Sequence, residues 1–264
     1  MYKNLISNKT KIITWQVLIL LMIILAWQFF SRSNHVAFFI GEPLIVFQRL
    51  VNWLIIEKNV YWHLGITLLE TCLAFSIGTL AGTFCGLFLG LSPIFSAIFD
   101  PYIKALNSMP RVILAPIFSV WFGLGMWSKV ALAITLVFFV VFFNVYQGIK
   151  EVSPSILANA KMLGASRKQL IRTVYLPSAT SWVFSSLHTS IGLAFVGAVV
   201  GEYLGSAAGV GYLILQAEGS FDINTVIAGI ILLTTCALLL DSIVGIIEKK
   251  LMVWRPQTSG LEKL

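Results

Sequence analysis

The chain has 264 residues, 58% of them hydrophobic and only 11% charged, with a mean hydropathy of +0.90. This composition excludes an ordinary soluble domain and reads as an all-α integral membrane protein of several spans. The net charge of +7 does not call for a nucleic-acid partner, because the basic residues sort by membrane side.

The first apolar run, Ile12–Phe30, follows Lys3, Lys9 and Lys11. It resembles a signal peptide, but it is long enough to span and no small-residue cleavage site follows, so an uncleaved first span is expected. The segment from Glu42 to Asn59 is apolar but short, with Arg49 and Asn52 inside it. An interfacial helix beginning near Pro43 and anchored by Trp53 fits it. The second span is expected over Leu64–Gly90. It carries Ala74, Gly78, Gly82, Gly86 and Gly90, a small residue at every fourth position. That spacing lays one smooth ridge on one helix face, where another backbone can approach closely, either as a static seam or as one that slides. Glu70 lies inside the same span and needs a partner, water or a nearby surface.

The third span, Ala105–Gly123, contains Pro110, Arg111 and Pro116, so a kink is expected, with Lys104 and Arg111 near one membrane surface. Five spans with a re-entrant segment is the competing count. The fourth span, Val130–Gly148, holds Asn144 and Gln147, which either line a polar path or bond across helices. The fifth, Ser178–Val200, holds His188, read as a packing or hydrogen-bonding residue, and ends near Gly197, Gly201 and Gly205. The sixth, Asn224–Ile247, holds Asp241, for which interior-facing pairing is the leading reading. Trp62, Trp121, Trp127, Tyr61 and Tyr203 fall near predicted boundaries, as an aromatic belt would. Cys72, Cys85 and Cys236 all lie in apolar segments and read as small buried hydrophobes.

Between the fourth and fifth spans runs a polar loop, Lys150 to Pro177. Ser153 and Pro154 suit the start of a short helix, and Gly164 suits its stop. Ser166 with Gln169 forms a capping-box pattern for a second helix, which Pro177 limits. With the N-terminus inside, 14 of the 18 lysines and arginines fall on the cytoplasmic side, leaving Arg32, Arg49, Lys58 and Lys129 outside. The bias places both termini and this loop in the cytoplasm. No GxxxxGK[ST] phosphate loop, HExxH or GxSxG occurs, so nothing supports an enzyme, a cofactor or a metal site.

The loop resembles the EAA motif of ABC importer permeases. Ala160, Gly164, Val174, Leu176 and Pro177 stand at matching spacing, while Ala158 replaces the motif's glutamate and Asn159 an alanine. Asp100-Pro101, the Pro110 region, Trp121-Phe122-Gly123-Leu124-Gly125, Leu163-Gly164-Ala165-Ser166 and Gly209-Val210-Gly211-Tyr212-Leu213-Ile214 look like the nitrate/sulfonate/taurine-type permeases, so the resemblance covers about Glu42 to Trp254. It implies a permease subunit of the bacterial inner membrane that forms the pathway as a homodimer. A cytoplasmic ATP-binding subunit would dock on Ala158, Asn159, Ala160, Gly164, Ala165, Ser166, Leu176 and Pro177, and an external solute-binding protein would deliver a small solute. Sulfonate, taurine, nitrate, a bicarbonate-like anion or a thiamine-precursor pyrimidine is implied by the family. On this reading residues 1–63 form an anchor with the external helix, 64–247 the permease domain and 248–264 a short tail. An ion-coupled secondary transporter or channel using Glu70 and Asp241 is the alternative. Glu70, Asn144, Gln147, His188 and Asp241 are the candidate pathway or buried polar residues.

Overall fold

A computed structural model of the protein describes residues 2–251. The tail expected at 248–264 therefore lies largely outside the described residues, with Arg255 and Lys263. Twelve α-helices form among the described residues: α1 (Tyr2–Phe30), α2 (Asn34–Ile40), α3 (Pro43–Val51), α4 (Val60–Leu91), α5 (Pro93–Ser108), α6 (Leu114–Phe122), α7 (Met126–Lys150), α8 (Pro154–Met162), α9 (Arg167–Leu170), α10 (Leu176–Gly205), α11 (Val210–Gly219) and α12 (Ile223–Leu251). Five helical stretches are long and apolar enough to cross a membrane, and α5 with α6 makes a sixth if that bent pair counts as one crossing. Helices α2 and α11 had no counterpart in the sequence reading, because each is too short to leave a span-length signal.

The chain divides into two compact units. One comprises the chain up to Tyr61 together with Leu213–Leu233; the other comprises Trp62–Tyr212 and the chain from Thr234. In the first unit the Trp27 indole N–H donates to the carbonyls of Ile40 (3.0 Å) and Gly41 (3.3 Å), and the Ser31 hydroxyl donates to Gly41 (2.7 Å). The Glu42 amide donates to Asn224 Oδ1 (2.8 Å), and Arg49 Nε to Thr225 Oγ1 (3.1 Å). The helix expected from Pro43 is present and continues as a π-turn over Asn52–Glu57. Trp53 is not an exposed anchor. It is buried, with the Arg49 guanidinium 5.3 Å above its ring, because stacking shields the indole more fully than the interface would.

In the second unit three helices share one seam. A Cβ at Gly78 would meet Val137 at 2.8 Å; at Gly82, Phe138 O at 2.7 Å; at Gly86, Phe142 O and Val145 at 2.9 Å; and at Gly90, Ile149 at 2.7 Å. Both sets of numbers rise together, so α4 and α7 run parallel with their backbones nearly touching. Helix α10 packs on α7 in the opposite sense: Gly197 lies against Ala133, Gly201 against Lys129, and the Ser178 hydroxyl donates to Gly148 O (2.9 Å). The buried Val137, Val141, Val145, Ile149, Ala179 and Ala194 form the core between them.

The parallel register also decides the third crossing. Helix α4 ends beside Ile149, at the far end of α7, yet α7 starts at Met126. The chain from Ser92 to Gly125 must therefore return along the 25 residues of α7, about 37 Å. It does so as α5, a 3₁₀ turn at Arg111–Ile113, and α6, bent by 78°. The single kinked helix expected over Ala105–Gly123 is thus two helices, because Pro110 interrupts the backbone ladder. A re-entrant loop would have returned to its own side. Arg111 is not near a membrane surface either: its guanidinium lies 4.7 Å from the ring centre of Phe139, midway along α7.

Filling the seam should cost stability. Gly82→Ala is expected to lower unfolding stability by about 1–3 kcal/mol through overpacking. Gly65→Ala, on the same helix with nothing within 4 Å, should be neutral or raise it by up to about 1 kcal/mol. Thermal unfolding in detergent checks this, and equal midpoints for the two variants would contradict the register.

Candidate functional site

Two polar regions stand out at opposite ends of the second unit. At the end where α4 and α7 finish, the chain makes the loop of α8 and α9. Pro154 starts α8, where its missing N–H costs nothing, but the Ser153 side chain makes no cap bond. The helix closes with Gly164 N–H on Lys161 O (2.9 Å) and Ala165 N–H on Ala160 O (3.0 Å), with Gly164 at φ +80°. A left-handed residue at this place is the ordinary helix stop, and glycine holds it without strain. The expected capping box is present: the Ser166 amide donates to Gln169 Oε1 (2.8 Å), and the Gln169 amide to Ser166 Oγ (3.4 Å).

Pro177 does not end the second helix. After α9 the chain passes through a π-turn at Ile171–Tyr175 directly into α10, with Pro177 in its first turn. The wider turn absorbs the missing proline N–H without a break. The loop is therefore joined to a continuous helical stretch, Arg167–Gly205. On α8 and its stop, Ile156, Met162 and Leu163 are 54%, 77% and 89% exposed. Large apolar side chains so exposed on a polar loop mark a surface that something covers. Ala158, Asn159, Gly164, Ser166, Leu176 and Pro177 are also exposed, and Ala160 and Ala165 half-buried.

At the other end lies a buried charged cluster. Glu70, Lys129 and Glu202 are each at most 1% exposed, as are Thr67 and Thr71. Glu202 accepts from the Thr67 hydroxyl (2.6 Å) and the Gly211 amide (2.8 Å); Thr67 Oγ1 accepts from the Val210 amide (3.0 Å), and His63 Nδ1 from the Gly209 amide (3.1 Å). Three successive backbone N–H groups where α11 begins are thus held by side chains of α4 and α10. Gly209 is at φ +104°, and a Cβ there would overlap the Glu202 carboxyl. Lys129 Nζ donates to the carbonyls of Leu124 (2.5 Å) and Gly125 (2.9 Å). Its ammonium attracts both the Glu70 and the Glu202 carboxyl groups. Glu70 Oε2 is buried with no hydrogen-bond partner.

Sequence reasoning found Glu70 and missed the rest of the cluster. Lys129 and Glu202 fall at span ends, where a charge looks solvated. The signal was the flanking Gly201 and Gly209-Val210-Gly211, small residues around an acid. The other candidates lie apart. Asn144 donates to Val140 O (2.8 Å) and Gln147 to Glu151 (3.0 Å), each within or next to its own helix rather than across helices. His188 bridges two acids of α12: Nδ1 is 2.8 Å from Asp241 Oδ1, and Nε2 is 2.8 Å from Glu248 Oε2. Asp241 thus has its partner but is exposed rather than interior. Among the described residues no group of three metal-ligating side chains occurs.

Glu202→Ala should destabilise the protein by about 1–3 kcal/mol, since it leaves the buried Gly211 amide without its acceptor, whereas Glu202→Gln, which keeps an acceptor, should cost less. Thermal unfolding and proteolysis near Gly209 read this; two variants as stable as wild type would contradict it.

Residues 78–253 match the profile of the family described as binding-protein-dependent transport system inner membrane component. The Bacillus subtilis protein assigned as the aliphatic sulfonates transport permease SsuC is 31% identical over 90% of this chain and 87% of its own length. The formylaminopyrimidine transport permease ThiX of Halalkalibacterium halodurans is 28% identical over 90% and 94%, and the Escherichia coli taurine transport system permease TauC is 27% identical over 75% and 72%. Among solved structures, an inward-facing MetNI methionine ABC transporter chain superposes with a TM-score of 0.63 at 17% identity, covering 76% of this chain and 97% of that one. Taken with its broken third crossing and its helical loop, the match shows that this chain belongs to the binding-protein-dependent inner membrane permeases of ABC importers.

Proposed function

We propose that this permease forms, as a homodimer in the bacterial inner membrane, the pathway for a small solute delivered by an external binding protein, with both termini and the α8–α9 loop in the cytoplasm. The observation that carries the proposal is the loop itself: a short helix stopped at Gly164, with Ile156, Met162 and Leu163 exposed and a continuous helical path into α10. Such a helix seats in a groove of an ATP-binding subunit, and α10 carries its displacement across the membrane as a lever. Family membership gives ATP-binding and solute-binding partners in general terms; their number and the face each uses belong to this proposal.

Arg111 stands at the break between α5 and α6, beside the middle of α7, with its Nη2 on Asn107 Oδ1 (2.5 Å) and its buried Nε without a partner. Charges at this depth face a cavity rather than lipid, and broken helices are where transported solutes are held. A cation there suits a solute bearing an anionic group such as a sulfonate, as in the relatives assigned to sulfonates and taurine, better than a neutral pyrimidine. The ion-coupled alternative gains nothing: Glu70 is buried in the cluster with Glu202 and Lys129, and the relatives are permease subunits.

The test is co-purification from mild detergent. Wild type should retain an ATP-binding subunit, and Gly164→Val, which cannot hold φ +80° without strain, should lose most of it while remaining folded and monodisperse. No ATP-binding subunit with either protein would overturn the proposal.

A further inference from the structure

Behind the loop lies a cavity of about 690 Å³ that the permease role does not use. Its walls come from the ends of α4 and α7 and from α8 and α9. Leu91, Leu157 and Leu170 supply apolar surface, while Lys150, Lys161 and Arg167 bring three cations from three different helices. Among the described residues none of the three takes part in a salt bridge. The neighbouring acid, Glu151, is bonded to Gln147 instead (3.0 Å), and Lys150 rests 5.4 Å from the ring centre of Tyr146.

A general excess of positive charge on one membrane side explains basic residues in a loop. It does not explain their convergence on one apolar-walled recess. Lys168 and Arg172, in the same loop, do not line the cavity and are exposed. Residues 157 and 161 are one turn apart, so α8 turns one face to the cavity, while Ile156, Met162 and Leu163, none of which lines it, remain exposed elsewhere. The cavity can therefore be filled while the exposed side is covered.

We propose that this cavity is a binding site for an anionic phospholipid, its phosphate headgroup among Lys150, Lys161 and Arg167 and the start of its acyl chains against the leucines. Basic recesses at the membrane surface take such headgroups, with each cation adding to the attraction, and the volume falls in the range of small-ligand pockets. A lipid seated there wedges α8 against the ends of α4 and α7, fixing the angle at which the loop is presented. The site stands without the ATP-binding partner; only the leaflet, the inner one, follows from the orientation proposed above.

Native mass spectrometry of the purified full chain, incubated with equal amounts of phosphatidylglycerol and phosphatidylcholine, tests this. Wild type should retain phosphatidylglycerol in preference by about tenfold or more. Lys161→Gln with Arg167→Gln should bring the two lipids near parity, whereas Lys168→Gln with Arg172→Gln, equal in charge removed, should keep the preference. If the first pair does not fold, Lys161→Gln alone, at an exposed position, should still narrow it. The proposal is overturned if wild type shows no preference, if both pairs lose it equally, or if inorganic phosphate displaces the retained lipid, which would make this a free-phosphate site. These readings need no ATP-binding subunit, so they stand apart from the fate of the importer assignment.

Discussion

Close backbone approach at the glycines of α4 and α10 is the constraint on which the second unit rests. With Gly78, Gly82, Gly86 and Gly90 seated on α7 from one side and Gly197 and Gly201 from the other, the three helices have no room to slip without side-chain clashes. In a membrane, where lipid competes equally for apolar surface, close van der Waals contact of this kind is a main source of helix association. Its consequences follow in order. The parallel α4–α7 pairing requires α5 and α6 to cross back, and the crossing brings Arg111 to the middle of α7. Gly201 lies against Lys129, which sets that ammonium beside Glu70 and Glu202.

The same helix that completes the buried cluster begins at the exposed loop. From Leu176 to Glu202 is about 39 Å along α10, with Pro177 accommodated by the π-turn before it. A displacement of α8 and α9 under the proposed ATP-binding subunit would therefore reach the point where Glu202 holds the start of α11. The mix of charges in the cluster matters here, because removing one partner would leave another uncompensated and destabilise any state that kept it buried. On this account the loop receives the motion, α10 conveys it, and the Glu202–Gly211 contact fixes what moves at the far end.

Much of this was legible in the sequence, and the reason is that membranes reward simple patterns. Span-length apolar runs gave α4, α7, α10 and α12 within about five residues and the end of α1, because lipid leaves the backbone no alternative to long helices. The loop was legible for a different reason: Ser166, Gln169 and Gly164 carry local hydrogen-bonding and dihedral requirements that need no tertiary context. What was not legible depends on partners distant in sequence. Glu202 and Lys129 looked like solvated charges at span ends until α4, α7 and α10 were placed together. Trp53 looked like an interface anchor until Arg49 covered it. Pro177 looked like a stop because a proline reads as a break, whereas a π-turn can absorb it.

The most direct measurement of the central claim is solute flux in proteoliposomes holding the permease with its binding protein, with and without the ATP-binding subunit. Labelled taurine, nitrate and an alkanesulfonate would be offered together. The account predicts accumulation of an anion that requires both ATP and the ATP-binding subunit and is indifferent to an imposed proton or sodium gradient. Accumulation at the same rate without that subunit, driven by an ion gradient, would contradict it.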